Sequence, residues 1–547
     1  MATLITAHLD AEPLSREHRS RERTYGLLVV SALTLLAFVV HGYHPYAEDG
    51  GLYIAGVKRL IEPALFPHGA EFVLAPMRWS AFAPTIAWLA RASGASVSTQ
   101  LHRVLPVLLL GLYLASVWMT LFAAWVLTGR CWKGREARTG AVVLLACWLS
   151  LPVAGTSLLL MDPYLTARSF TTPLMVLALI GALDTAAVDK AGRVKRWGPF
   201  GLWTGSIALA AAMHPLMAGY ALWSSLLLFC ARSRRREVRV WGTAALCLGA
   251  CALAGAVYGV SPPESGDYVR VALTRTYWFL SRWRWYELIG VIAPLCILAA
   301  AGWGRRYDGG FFRGAFCNDR GTARRALARM AVAAGGTAAL IALVLAQPGE
   351  PSHLVARMQP LRVFQIVYLV MILVLGASMG ETVLRRKAWR WVTAIFLLSA
   401  PLLLADCMCF PNSAHVEMPF IGSRNPWVEA FVWIRGNTPK DALVLLEGDY
   451  VHAPGEDVHC FRAIAERSVL PDYSKDGGEA SIAPELTAAW SVGQAAQRGM
   501  SSPEETDAER EERLRPLGVS WVVLQAEART RLECPFRNGV VEVCRLR

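Results

Sequence analysis

Long apolar runs separated by short charged segments dominate residues 25–405. A helix needs about 20 apolar residues to cross the hydrocarbon core of a bilayer. Eleven stretches approach that length: 25–42, 104–127, 140–160, 171–188, 199–213, 215–231, 240–260, 285–303, 330–347, 362–380 and 391–405. Region 76–92 is apolar too, but short and interrupted by proline, and it reads as re-entrant or interfacial. In Gly50–Ile61 the apolar residues fall on one helical face with Lys58 and Arg59 beside them, the pattern of a helix lying in the membrane interface. Beyond residue 405 the pattern changes. A helix-like stretch around Trp427–Arg435 precedes ALVLLEGDY, an acidic helical stretch at 504–513, and then the strand-like VSWVVL and GVVEVCRL. The expected fold is a polytopic α-helical membrane protein of about eleven spans, with a small C-terminal α/β domain. Three regions follow: a tail over 1–24, a multi-span domain over 25–405 and a soluble domain over 406–547.

Composition agrees. Of 547 residues, 54% are hydrophobic and 18% charged, with a mean hydropathy of +0.36; soluble proteins average roughly 25% charged residues. A disordered chain, a small disulfide scaffold and an ordinary soluble enzyme are excluded on these grounds. The net charge of +13 does not indicate a nucleic-acid partner, because it is unevenly placed. Residues 1–405 carry a balance of +20 and residues 406–547 one of −7. With a cytoplasmic N-terminus, the cytoplasmic segments hold 28 of the 40 Lys and Arg before residue 406. That bias predicts a cytoplasmic-membrane protein with its C-terminal domain outside. Arg16, Arg19, Arg21 and Arg23 precede the first span, and no good small-x-small site follows it, so a retained signal anchor is expected.

Cys407, Cys409, Cys460, Cys534 and Cys544 fall where disulfides can form; their pairing is open. Cys131 and Cys317 fall on the cytoplasmic side, and no spacing matches a zinc pattern. Walker A and HExxH patterns are absent from the sequence.

The predicted outer loops gather the candidate chemistry. The first holds YHPYAEDGGLY, with His44, Glu48 and Asp49; the second holds MDPYLTARSF, with Asp162 and Arg168. His214-Pro215 makes the next outer turn, followed by Glu264, the strip RTYWFLSRWRWYE with Arg282 and Arg284, and then His353 and Arg362. In layout this chain resembles the GT-C superfamily, membrane glycosyltransferases that use polyprenyl-phosphate-linked sugars. The likeness lies in a short tail, one span, and a long first outer loop opening on an acidic motif. PWVEAFVWIRGNTPKDALVL is similar to the segment that follows the spans in large bacterial proteins of that layout. The resemblance implies a catalytic carboxylate at Glu48-Asp49, a second acidic motif at Asp162, a lipid-linked sugar donor and an acceptor it does not name. It is not specific to one member.

Such a transfer needs a carboxylate to take the acceptor proton and cations to neutralise the departing phosphate. Asp49 is the expected base, with Glu48 and Asp162 assisting; His214, Arg168, Arg362, His353 and Arg282 are the phosphate candidates. Each has a plainer reading. Asp49 can cap a helix starting near Gly51, and Asp162-Pro163 can start one. His214 can be a buried core residue, and Arg168 a structural partner of Asp162. Arg282 and Arg284 with Trp278, Trp283 and Trp285 read first as an interfacial belt. Asp184 is read as solvated near the cytoplasmic end of its span. No cofactor is assigned and the metal is unknown; a divalent ion is compatible with some members of this layout. A scaffold of envelope polysaccharide assembly and a lipid or sugar transporter are the alternatives. In the C-terminal domain no catalytic cluster stands out, which points to acceptor recognition or a lid.

Overall fold

The computed structural model describes residues 16–186, 197–304, 319–448 and 459–546. Cys317, the start of the N-terminal tail and most of the basic segments 189–198 and 304–329 lie outside them. Among the described residues, eight helices are long and apolar enough to cross a membrane. The first, α1 (Arg16–His41), leads through a short link into α2 (Glu48–Ile61) and α3 (Phe82–Arg91). Then come α4 (Leu105–Cys131), α5 (Arg135–Cys147), α6 (Ala167–Thr185), α7 (Trp197–Met213) and α8 (Pro215–Arg232). They are followed by α9 (Thr243–Val260), α10 (Gly266–Leu273), α11 (Trp285–Trp303), α12 (Asp319–Leu345), α13 (Phe364–Met379) and α14 (Ala388–Cys409).

Three of the eleven expected spans fall outside these eight: α5 and α7 have only 13 and 17 residues, and α8 has 18 and ends on Arg232. The 140–160 run stops at Cys147 and turns into a small hairpin in which β1 (Pro152–Val153) pairs with β2 (Leu158–Leu159). Gly155 sits there at φ +61°, where a Cβ would lie 2.4 Å from the Trp283 ring. Between α7 and α8 the chain breaks at His214, and Pro215 starts the next helix, where its missing N–H costs nothing.

The bundle is graded from inside to outside. α13 is buried along nearly its whole length, whereas α9 buries no residue and exposes Leu248 and Leu253. A helix apolar on all sides fits a lipid neighbour. α5 and α13 approach at glycines: a Cβ on Gly140 would lie 2.3 Å from the Gly376 carbonyl oxygen, and one on Gly380 2.1 Å from that of Glu136. This is the small-residue contact by which membrane helices pack where lipid supplies no hydrophobic drive. Asp184 pairs with Arg130 at 2.8 Å rather than standing in solvent.

Past α14, which carries Asp406 in its last turn, the chain forms an α/β domain. α15 (Pro426–Asn437) starts on an Asn425 cap and leads to a five-stranded sheet. Its strands are β3 (Leu443–Leu446), β4 (Ser468–Val469), β5 (Trp521–Gln525), β6 (Glu533–Arg537) and β7 (Val541–Arg545), in the order β4-β3-β5-β7-β6. β3 is parallel to β4 and β5; β7 is antiparallel to β5 and β6, with Val523 opposite Val543. Cys534 and Cys544 form a disulfide between the last two strands. The helices α16 (Phe461–Ala465), α17 (Lys475–Ile482), α18 (Thr487–Gln497) and α19 (Asp507–Leu514) complete the domain.

This domain closes over the first loop instead of standing apart. Tyr43 bridges to Val416 and Ala47 to His459, and the Cys460 N–H donates to the Tyr46 carbonyl at 2.9 Å. Gly51 is required there, since a Cβ would lie 2.2 Å from that of Cys460. The amphipathic reading of Gly50–Ile61 as an interfacial helix needs correction. α2 is enclosed, and Lys58, 1% exposed, donates to Glu466 at 2.6 Å while His102 holds the same carboxylate. Glu417 likewise accepts from His44 at 3.2 Å and His459 at 2.8 Å.

Burial works to raise the Glu466 and Glu417 carboxyls, but in each case their partners outweigh it: the His102 hydrogen bond and Lys58 hold Glu466 at about 2, and the His44 and His459 hydrogen bonds do the same for Glu417. Their contribution to docking is present above the ordinary carboxyl range and fades as pH falls through it toward 2. Limited proteolysis should therefore open the junction around 410–426 progressively below about pH 4.5. Glu466→Ala, which leaves Lys58 buried without its carboxylate, should open it at neutral pH at a cost of about 3–5 kcal/mol.

Candidate active site

The acidic motifs meet because the loops that carry them are tied together. The His44 N–H donates to the Pro163 carbonyl at 2.8 Å, setting the 42–47 link against the 161–166 turn. α2 then starts at Glu48, whose φ of +49° is a sterically costly conformation for a residue with a side chain. Asp49 does not cap the helix: Ala47 occupies that position, and no side chain caps it. Nor does Asp162 cap α6, since Thr166 and Ser169 form a capping box there.

Both aspartates turn to one guanidinium. Asp162 Oδ2 accepts from Arg168 Nε at 3.2 Å and Nη2 at 2.9 Å, and Asp49 Oδ2 accepts from the same Nη2 at 3.1 Å. Arg168 and Asp162 are each 5% exposed. Asp49 Oδ1 faces Lys475 Nζ at 3.4 Å, and Lys475 also pairs with Glu48. Lys475 opens α17 in the C-terminal domain, and Glu479 follows one turn later. Arg275 steadies that segment by donating to the Ser474 and Tyr473 carbonyls at 2.8 and 3.0 Å.

A cavity of about 530 Å³ opens between the helices and this domain. Asp49, Arg168, His214, Arg275, Arg357, Arg362, Lys475 and Glu479 all line it, with Tyr53, Trp79 and Tyr277 among its aromatic walls. Five cations thus face two carboxyl groups. Three lining side chains have buried polar atoms without a hydrogen-bond partner: His214 Nδ1, Gln359 Oε1 and Arg362 Nε. Buried polar atoms are normally satisfied, so three orphans around one cavity mark a place for a ligand.

The two carboxyl groups differ sharply. Burial would raise Asp49, but Lys475 and Arg168 outweigh it and hold the carboxyl well below its usual range. Glu479 has no ion pair among the described residues; burial first, then Asp49 and Asp476, push it up to about 8. His214 is pushed down to about 3 by burial, reinforced by Arg362 and Arg168. It therefore enters the cavity as neutral imidazole. Of the anticipated residues, Asp49, Arg168, His214 and Arg362 line the cavity. Asp162 stands behind Arg168, and Glu48 beside Lys475.

Two of the anticipated phosphate residues lie elsewhere. His353 is buried with its Nδ1 2.7 Å from Glu264. Arg282 lies over the Phe279 ring and donates to the Leu273 carbonyl at 3.1 Å. The belt reading also fails in part: Trp278 and Trp283 are buried at 2% and 8%, and only Trp285 is exposed, at 73%. Lys475 and Glu479 escaped the sequence reading, whereas Arg275 opens the RTYWFLSRWRWYE strip and Arg357 falls beside His353 and Arg362 in the predicted outer loops. The first two lie in a short polar helix of the C-terminal domain, with no apolar run or motif to single them out.

No protein-family model matches the chain, and no curated protein sequence matches it. Solved structures give partial likenesses. The oligosaccharyltransferase of Archaeoglobus fulgidus, crystallised with zinc and sulfate, is 14% identical with a TM-score of 0.46, over 91% of this chain and 68% of that one. The same organism's AglB, in complex with an inhibitory peptide and a dolichol-phosphate, is 13% identical with a TM-score of 0.40, over 92% and 70%. The arabinofuranosyltransferase AftD from Mycobacteria is 14% identical with a TM-score of 0.46; 98% of this chain covers 40% of AftD.

Carbodiimides react with protonated carboxyls. At pH 7 a hydrophobic carbodiimide should label Glu479 and spare Asp49, and labelling should fade as pH rises past 8, read by peptide mass spectrometry. Labelling of Asp49 with Glu479 untouched would reverse the two assignments.

Proposed function

We propose that the chain transfers a sugar from a polyprenyl-phosphate-linked donor to an acceptor hydroxyl at the outer face of the cytoplasmic membrane, as a GT-C-type glycosyltransferase. The observation that carries this reading is the cation-rich cavity with unpartnered Arg362, His214 and Gln359 beside Asp49. A phosphate would satisfy the guanidinium and the imidazole at once. Arg362 also stands near the start of the apolar stretch Leu354–Leu384, so a phosphate held there could keep its lipid tail among the helices.

The acceptor hydroxyl donates to the Asp49 carboxylate. Held ionised by Lys475 and Arg168, Asp49 has little proton affinity at rest, so it takes the proton late, once the new bond is forming and the hydroxyl has become acidic. The acceptor oxygen bonds to the anomeric carbon as the bond from that carbon to the phosphate oxygen breaks on the opposite face. Arg362 and Arg357 take up the charge on the departing phosphate. Glu479, protonated at neutral pH, gives its proton to that phosphate, and the proton on Asp49 later restores Glu479. Arg168 is a positioning residue: Asp162 fixes its guanidinium, and that guanidinium fixes Asp49. Glu48 holds Lys475. The Glu48-Asp49 pair has both members engaged by Lys475, and no metal is assigned to it.

Cells lacking the protein, complemented with wild type or Asp49→Asn, test the reading by mass spectrometry of lipid extracts. A lipid-linked sugar should accumulate in the null and in the variant and clear with wild type. In membranes Asp49→Asn should lower transfer by about 10²–10⁴-fold. Unchanged lipids in all three strains would end the transferase reading.

Arg362→Ala should weaken donor use by roughly 10–100-fold, the scale of a hydrogen bond to a charged group. The rate should also fall as pH rises through about 8, where Glu479 loses its proton. Glu479→Gln should lower the rate and flatten that alkaline limb.

A further inference from the structure

A second cavity, of about 630 Å³, lies on the other side of the Tyr473–Lys475 segment. Ser474 and Lys475 line the first cavity, and Tyr473 lines the second. Arg275 belongs to this shared wall, since it donates to the Tyr473 and Ser474 carbonyls and lies over the Tyr473 ring. Tyr473 and Trp490 form a tilted pair with ring centroids 6.1 Å apart, and Tyr473 keeps 37% of its surface exposed.

Polar atoms without partners face the same space. Glu447 is 5% exposed, and its Oε2 has no hydrogen-bond partner. Gln494 spends its amide nitrogen on the Pro471 carbonyl at 3.2 Å and the Gln497 carbonyl at 3.3 Å. The Gln494 oxygen and the Gln497 nitrogen are left without partners among the described residues. Arg270, at the rim, is taken by Asp267 at 2.6 Å.

We propose that this cavity is a saccharide subsite that holds the acceptor glycan beside the first cavity, an inference that rests on the transferase reading. Sugars present hydroxyls that donate and accept at once, together with apolar C–H faces. The cavity offers two acceptors, one donor and an exposed aromatic ring in a largely preformed space. A simple anion would meet the Glu447 carboxylate, and an apolar chain would leave these polar atoms unsatisfied. A glycan lying here reaches the first cavity by passing over Tyr473 and Ser474. The acceptor would then be an oligosaccharide rather than a single sugar or a protein side chain.

The test uses the full-length protein in detergent on an array of defined neutral, amino-sugar and uronic-acid oligosaccharides, with the hits titrated calorimetrically. At least one neutral or amino-sugar oligosaccharide should bind. Glu447→Gln and, separately, Gln494→Ala should each weaken it at least tenfold, with thermal unfolding unchanged in at least one of the two. Failure of every neutral and amino sugar to bind, or binding indifferent to both cavity variants, overturns the proposal. So does retention of uronic-acid sugars alone. Binding that depends on Glu447 and Gln494 in a protein whose lipid-linked sugars never change would sustain the subsite while removing the transferase reading.

Discussion

A single buried guanidinium holds the candidate active site together. Arg168, 5% exposed, donates to two aspartates brought from different loops. A charge taken out of water at that depth demands compensation, and breaking such a cluster strands whichever member remains. The first loop must therefore come to the 161–168 turn, and the His44 to Pro163 hydrogen bond brings it there. Once Asp49 is fixed by Arg168 on one side, its other oxygen can meet only what the C-terminal domain presents, which is Lys475.

That arrangement separates two carboxyl groups lining one cavity. Asp49 sits between two cations and stays ionised, whereas Glu479, one turn beyond Lys475, is half-buried without an ion pair among the described residues and keeps its proton up to about 8. Opposite protonation states at one pH are what acid–base division of labour requires. Neighbouring charges produce the split, for the two side chains are chemically almost alike.

How much of this was legible in the sequence depended on the kind of signal. Apolar runs located the long helices, because hydrocarbon-spanning length leaves an unmistakable mark. They failed where a run continued past its helix: the stretch beyond Cys147 stays apolar while Pro152 and Gly155 bend it into a hairpin. Asp49, Arg168, His214 and Arg362 could be picked out because a charge or histidine beside an apolar run is conspicuous. His353 and Arg282 were equally conspicuous, yet Glu264 and Phe279 occupy them, and sequence position carries no record of such long-range partners. Lys475 and Glu479 were invisible for the opposite reason. In a polar helix another lysine and glutamate stand out from nothing, and only the docking of that helix on α2 gives them meaning. The amphipathic face of α2 was real, but its partner is the C-terminal domain rather than lipid.

The two backbone bridges flanking this loop, Tyr43 to Val416 and Ala47 to His459, carry a consequence for the order of synthesis. A growing chain delivers its helices to the bilayer long before residues 416, 459 and 475 exist. Throughout that interval the loop lacks its stitching, Asp49 lacks Lys475, and the cavity lacks a wall. The candidate site is complete only once the chain through Glu479 has been made. A product that stops before Lys475 would carry Asp49 and Arg168 without the second cation and without that wall.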